Sequence, residues 1–239
     1  MAPGRSIEKL IEDQVHRWQL LRGQTCEQRP CDPVISICSL PGCSGRDLAE
    51  ELARRTQFDL FDREIIDQVA QSSHLSAAIL DTVDDKDVSW VEEWVESLFL
   101  ERYVSGDFMH HLCKVLATVA HHGRAVILGR GAGFILPPGS CLRVLLVAPL
   151  DERIRGMAQR HQLPYEEAKR QVMHIESDRR AFVRRHFHAE LLDPTHYDLV
   201  LNTAGIGQEG ALAAISAAWA VKQKLPRPVL KRGAWRPTA

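Results

Sequence analysis

Apolar residues in this chain fall into two kinds of run: short continuous stretches, and longer segments with apolar positions three or four residues apart. The continuous stretches are rich in β-branched residues and predict strands covered on both faces. They lie at residues 34–39, 125–128, 142–148 and 197–203. Helical patterns separate them. This alternation predicts an α/β fold with a doubly wound parallel sheet, in which ligands bind at the carboxyl ends of the strands.

The helical patterns lie between and after the predicted strands. They cover residues 47–56, 108–122, 164–187 and 209–222, and residues 58–70 predict a short strand or turn followed by a helix. Residues 80–101 are acidic, with apolar positions such as Trp94 and Leu98 at helical spacing. We interpret this segment as a solvated helix with one buried side rather than as a binding surface.

Composition divides the chain into three predicted parts. Residues 1–33 hold an amphipathic helix at 7–21 and a polar linker with two prolines. Residues 34–225 hold the alternating strands and helices, and the Pro- and Arg-containing residues 226–239 predict a flexible tail. The apolar face of the first helix must pack on the main domain or on a partner that the sequence does not identify.

The overall composition narrows the class of protein. Of the 239 residues, 45% are hydrophobic and 26% charged, as is ordinary for a globular α/β domain. The net charge of −1 provides no general attraction to nucleic acid or to an anionic membrane. Six scattered cysteines fit reduced thiols better than a disulfide framework. With no signal-like segment and no 18-residue apolar run, we expect a cytoplasmic protein with no membrane partner.

The stretch "VISICSLPGCSGRDLA" (34–49) joins the first predicted strand to a helix through a turn of small residues. A Walker A loop has the pattern G-x-x-x-x-G-K-[ST]. In this register Leu40 takes the place of the first glycine, Arg46 of the lysine and Asp47 of the hydroxyl residue. Backbone amides at such a helix N-terminus attract anions. The local pattern leaves two interpretations open, a nucleotide-phosphate loop and a plain strand–helix turn.

Charged residues near other predicted strand ends are further candidates. Arg130 lies between two glycines directly after a strand, and an arginine in such a position is more often functional than incidental. Residues 179–185 hold four arginines and no acid; such a cluster is either a solvated face or a site for a multiply charged phosphate. Asp47 either holds Mg²⁺ or stabilises the helix N-terminus. Asp62 is either a metal ligand or a helix N-cap.

From Val34 to about Leu225 the chain resembles the cytidylate kinase-like family, P-loop relatives of bacterial cytidylate kinase. Six segments carry the resemblance in the family's order: "SLPGCSGRD" in the loop, "FDREII" (61–66), "GRGAGFIL" (129–136), "LRVLLVAPLDERI", "SDRRAFV" (177–183) and "DPTHYDLVLNT" (193–203). The loop has the family's length, with Arg46 in register with the family's loop arginine. The resemblance implies a P-loop kinase fold with a helical lid.

The resemblance also implies a reaction, the transfer of the γ-phosphate of ATP to a nucleoside monophosphate such as CMP or dCMP, with Mg²⁺. The loop would hold the donor through Gly42, Cys43, Ser44, Gly45, Arg46 and Asp47. Asp47 and Asp62 would carry the metal, and Asp62, Arg63, Arg130 and Arg184 would contact the acceptor. The catalytic charges would come from Arg46, Arg130, Arg179 and Arg180, the last two on the lid.

The chain departs from the family pattern at the loop and at Gly133, where many members have Asp. These departures motivate a second hypothesis, a non-catalytic nucleotide-binding or regulatory module with a degenerate loop. A third, nucleic-acid binding through the Arg-rich helix, has neither a basic net charge nor an aromatic stacking platform behind it. We therefore expect a nucleotide as the ligand and no nucleic-acid partner.

Overall fold

The structure, a computed structural model, describes residues 7–22, 32–83, 91–98 apart from 93 and 97, 106–137 and 139–225. Most of the predicted linker, the tail 226–239 and residues 84–90, 93, 97 and 99–101 of the acidic segment lie outside these residues. The division of the chain at residues 33 and 225 therefore stays a prediction. Among the described helices, none has both the length and the apolar composition needed to cross a bilayer.

Within the described ranges, five parallel strands form one sheet in the order β2-β3-β1-β4-β5. They are β1 Val34–Ser39, β2 Asp59–Phe61, β3 Ala125–Leu128, β4 Cys141–Val147 and β5 Leu199–Asn202. The predicted α/β fold with a parallel sheet is confirmed, and the uncertain segment at 58–70 contains an edge strand. Strand β1 is central and pairs with β3 and β4. Its residues Ile35 and Ile37 are completely buried, which explains why the run lacks polar alternation.

Helices cover both faces of the sheet. They are α1 Ile7–Arg22, α2 Gly45–Thr56, α3 Arg63–Gln71, α4 Ser73–Leu80, α5 Asp107–His122, α6 Ala132–Ile135, α7 Leu150–His161, α8 Tyr165–Phe187 and α9 Thr203–Lys222, with a short 3-10 turn at Pro194–His196. Helical residues also occur within 91–98, where Val91, Trp94, Val95 and Leu98 are buried. The described part of the acidic segment thus has the predicted apolar face.

Helix α1 packs against the main domain rather than standing apart from it. Trp18 is buried and stacks on His122, with ring centroids 4.1 Å apart. The Gln14 amide donates a hydrogen bond to Asp59 at 2.7 Å. The sequence left open whether this helix packs on the main domain or on a partner. In the structure it packs on the main domain.

The last helix begins earlier than its apolar pattern indicated. The predicted start was residue 209, whereas α9 begins at Thr203 with Asn202 as its N-cap. Gly207 has a φ of +66° and interrupts the helical geometry. The first turn, residues 203–206, is mostly exposed and has a single large apolar residue, Ile206, so hydrophobic spacing could not reveal it.

Candidate functional site

A cleft of about 490 Å³ opens at the carboxyl ends of the central strands. The loop after β1, the turn after β3 and the inner face of α8 form its walls. The predicted position of a ligand site in a parallel α/β sheet is at these strand ends. The arginines that line the cleft are Arg46, Arg63, Arg130, Arg143, Arg160 and Arg179, and the acid among its lining residues is Asp178.

The loop between β1 and α2 curls tightly against helix α7. Gly42 has a φ of +89°, and a Cβ at this position would lie 2.0 Å from the carbonyl oxygen of Arg153. A Cβ on Gly156 would lie 2.7 Å from the carbonyl oxygen of Gly42. Ser44, the N-cap of α2, is also left-handed, with a φ of +51°. Small residues are therefore required where the loop touches α7, and the curl exposes the N-terminus of α2 to the cleft.

Arg46 lies at the cleft wall but is held by acids. Its guanidinium lies 3.1 Å from a carboxylate oxygen of Glu50, 3.0 Å from one of Asp62 and 3.8 Å from one of Glu64. These neighbours, Glu50 foremost, raise the pKa of Arg46 against the opposing effect of burial. The charge at the position of the loop lysine is therefore paired in this structure.

Asp62 has the geometry of a helix cap. One carboxylate oxygen accepts hydrogen bonds from the backbone amides of Glu64 and Ile65 at 3.0 and 3.1 Å. The other oxygen pairs with Arg46. Both oxygens are thus engaged, which favours the N-cap interpretation over the metal interpretation that the sequence also left open.

Of the two candidate metal ligands, Asp47 fits a magnesium ion better than Asp62 does. Its carboxylate is partly exposed and pairs with Arg160 of α7. No group of three or more potential metal ligands occurs among the residues that the structure describes. Magnesium in kinases is held by one or two carboxylates together with the nucleotide phosphates. Asp47 can take that part if an incoming phosphate draws Arg160 away.

Three guanidinium groups converge where the cleft passes between the loop and the turn after β3. Burial lowers the pKa of Arg130 to about 10, and the positive charges of Arg63 and Arg179 contribute to this lowering. Burial likewise lowers the pKa of Arg179, with a contribution from Arg63. Asp67 pairs with Arg130 and lies 3.7 Å from Arg63. Mutual repulsion of the three cations would be relieved by a bound anion.

The backbone holds Arg130 in an unusual conformation. Gly129, Arg130 and Gly131 all have positive φ values, +84°, +54° and +67°. A left-handed non-glycine residue typically costs about 1–3 kcal/mol and is concentrated at functional sites. The turn brings the side chain of Arg130 into the cleft, as the sequence position between two glycines indicated.

The arginines of α8 separate into different environments. Arg179 lines the cleft and donates a hydrogen bond to the carbonyl oxygen of Ser39. Arg180 pairs with Glu176 at 2.6 Å, and Arg184 pairs with Glu190 at 2.7 Å. Neither is among the lining residues of the cleft. The acids that pair with them lie outside the run 179–185, so the cluster looked uncompensated in the sequence.

Two of the cleft arginines were not candidates from the sequence. Arg143 lies inside an apolar strand run, and Arg160 ends a helix in which a basic residue is ordinary. Neither follows a strand end or a glycine, the two signals that pointed to the loop and to Arg130. Cys43, in the loop, has its pKa raised to about 11 by burial, so its thiol stays neutral near pH 7.

The sheet is all-parallel with the strand order β2-β3-β1-β4-β5, and a glycine-containing loop joins its central strand to a helix. These features define a protein of the P-loop kinase class of fold. The chain belongs to the cytidylate kinase-like family, whose sequence model matches residues 34–205. Its sequence is 31% identical over 102 residues to a cytidylate kinase of Ignicoccus hospitalis, covering 43% of this chain and 59% of that protein.

A cytidylate kinase of Thermococcus kodakarensis is 33% identical over 93 residues, which cover 39% of this chain and 48% of that protein. The chain thus spans about half the length of these relatives. A crystal structure of an uncharacterized protein from Eubacterium ventriosum superposes with a TM-score of 0.63 at 16% identity, covering 80% of this chain and 99% of that one. This likeness shows the fold alone.

Proposed function

We propose that the protein transfers the γ-phosphate of ATP to a nucleoside monophosphate. The observation that carries this proposal is the convergence of Arg63, Arg130 and Arg179 in a cleft that the loop 40–46 also lines. Family membership and the names of the relatives support it. Phosphoryl transfer depends on positioning and positive charge more than on covalent help from the protein, and this cleft supplies both.

The residues divide into a donor side and an acceptor side. The amides of residues 42–47 and the N-terminus of α2 would hold the donor phosphates, and Arg46 would turn from its acidic partners toward them. Arg63 and Arg130 would hold the acceptor phosphate, whose oxygen forms a bond to the γ-phosphorus as the bond to the bridging oxygen of ADP breaks. Arg179 lies between these sides and would stabilise the transferring group. Asp47 would help to hold the Mg²⁺ that accompanies ATP.

The test is an ADP-release assay with ATP and Mg²⁺ against CMP, dCMP, UMP, AMP and GMP. We expect turnover with at least one acceptor, and about a 100-fold or larger loss of kcat/KM in Arg130→Ala because a buried phosphate contact is removed. Arg46→Ala should lower kcat similarly. The control is Arg155→Ala, an exposed arginine on α7 that pairs with Glu152 outside the cleft. Equal activity of Arg130→Ala and the control would refute the assignment.

A second candidate is a nucleotide-binding module without turnover. The observation that favours it is the engagement of Arg46 and Asp47, the two residues at the chemical positions of the loop, with Asp62 and Arg160 respectively. It predicts thermal stabilisation by ATP with no phosphorylated product. Product formation that Arg46→Ala abolishes would exclude this alternative.

A further inference from the structure

The floor of the cleft contains a recess between strands β1 and β4 and helix α6. Ser36 and Arg143 are partners in register on the two strands, and Gly133 of α6 lies close to both. All three line the cleft. A Cβ on Gly133 would lie 3.6 Å from Ser36 Oγ and 3.6 Å from Arg143 Cγ, which are ordinary contact distances. Position 133 therefore accommodates a Cβ without a clash, and any side chain there would start in contact with Ser36 and Arg143.

The recess presents hydrogen-bond donors without an acid. Arg143 donates to the carbonyl oxygen of Leu136 at 3.1 Å, and its Nε has no hydrogen-bond partner. The nearby carboxylate of Asp198 accepts from the backbone amide of Arg143 and pairs with Lys222. Within the described part of the chain, no carboxylate forms an ion pair with the Arg143 guanidinium. A guanidinium has donors only, whereas the hydroxyl of Ser36 can donate or accept.

We infer that this recess, given the proposed function, selects an acceptor whose base presents a carbonyl oxygen, uracil in preference to cytosine. The guanidinium of Arg143 donates to O4 of uracil, and the Ser36 hydroxyl accepts from N3–H. Cytosine has an amino group in place of O4. This amino group and the Arg143 guanidinium are both hydrogen-bond donors, so they could not pair and a buried donor would lack an acceptor. A carboxylate at position 133 would neutralise Arg143 and accept from that amino group.

The experiment compares kcat/KM for UMP and CMP, with ATP and Mg²⁺, in the wild type, Gly133→Asp and Gly133→Ala. We expect the wild type to prefer UMP by about tenfold or more, the size of discrimination that one well-placed arginine provides between bases. Gly133→Asp should reduce the UMP/CMP ratio at least about tenfold. Gly133→Ala adds a Cβ without charge and should leave the ratio within about twofold.

The outcomes separate this inference from the proposed function. Turnover with CMP equal to or better than UMP in the wild type overturns the inference and leaves the kinase activity standing. If no acceptor is phosphorylated, the proposed function fails, and calorimetric titration with UMP and CMP decides the inference. Tighter binding of UMP supports it, whereas equal or undetectable binding of both overturns it. If Gly133→Asp does not fold, as circular dichroism would reveal, the wild-type preference between UMP and CMP alone supports or overturns the inference.

Discussion

Gly42 is a residue at which the loop between β1 and α2 packs tightly against helix α7. A side chain there meets two separate penalties, the left-handed backbone at a φ of +89° and a Cβ position 2.0 Å from the carbonyl oxygen of Arg153. Gly129 isolates the first penalty, because its φ is +84° but a Cβ would meet nothing within 4 Å. Comparing substitutions at these two glycines therefore separates the free-energy cost of the close contact with α7 from the cost of the positive φ.

We expect Gly129→Ala to lower the free energy of unfolding by about 1 kcal/mol, the cost of a positive φ. Gly42→Ala should lower it by at least about 2 kcal/mol more, because the backbone of the loop or of α7 must move. Urea unfolding of both variants, followed by circular dichroism, measures the difference. Equal losses in the two variants would show that the loop is not packed against α7 in solution.

At the scale of elements, helix α8 is held by two different contacts. Its first half packs on α7 through the small apolar cluster Ile154, Met157, Ala168 and Val172, whereas Val183 and Phe187 at its end join the main core. Between these regions, Glu176 accepts from Arg153 of α7 at 2.7 Å and from Arg180 at 2.6 Å. Arg153 and Glu176 are largely buried, with 8% and 15% of their side chains exposed.

Removal of Glu176 leaves two arginines facing each other without an acid. We expect Glu176→Ala to lower the free energy of unfolding by about 3 kcal/mol, since breaking a buried ion pair leaves a desolvated charge. Amide hydrogen exchange should accelerate in α8 before it does so in the strands. Glu152→Ala, which breaks an exposed pair with Arg155, is the control and should change stability by less than about 1 kcal/mol. Indistinguishable exchange in the two variants would contradict the role of Glu176.

The elements were predictable to different degrees for physical reasons. Continuous apolar runs marked β1, β3 and β4, whose residues are mostly buried because inner parallel strands are covered on both faces, and they also marked the more exposed edge strand β5. Helical spacing marked α5 and α8 closely. The first turn of α9 has Ile206 as its single large apolar residue and therefore carried no periodic hydrophobic signal. Within the site, chain position indicated that Arg130 and the loop face the cleft, but pairs such as Asp47 with Arg160 join residues 113 positions apart. Such partners follow from tertiary packing and leave no local pattern.

At the scale of the whole molecule, charge is distributed unevenly. The net charge is −1, yet the cleft is lined by six arginines and by Asp178. Several of these arginines pair with acids, yet positive charge predominates among the lining residues. A cleft in which one sign of charge predominates attracts oppositely charged ligands even when the protein as a whole is nearly neutral. The field of the cleft therefore favours a polyanion, independently of any base or sugar that the polyanion carries.

Inorganic tripolyphosphate tests this field without a nucleoside. We expect it to raise the melting temperature, because a ligand at 100 times its Kd stabilises the native state by about 2.7 kcal/mol. In a domain of this size that corresponds to roughly 5–10 °C. The gain should shrink in 0.5 M sodium chloride, since salt screens charges. The variants Arg130→Gln and Arg179→Gln should lose most of it, whereas Arg155→Gln should retain it. A gain that sodium chloride of equal ionic strength reproduces would show that these arginines form no specific phosphate site.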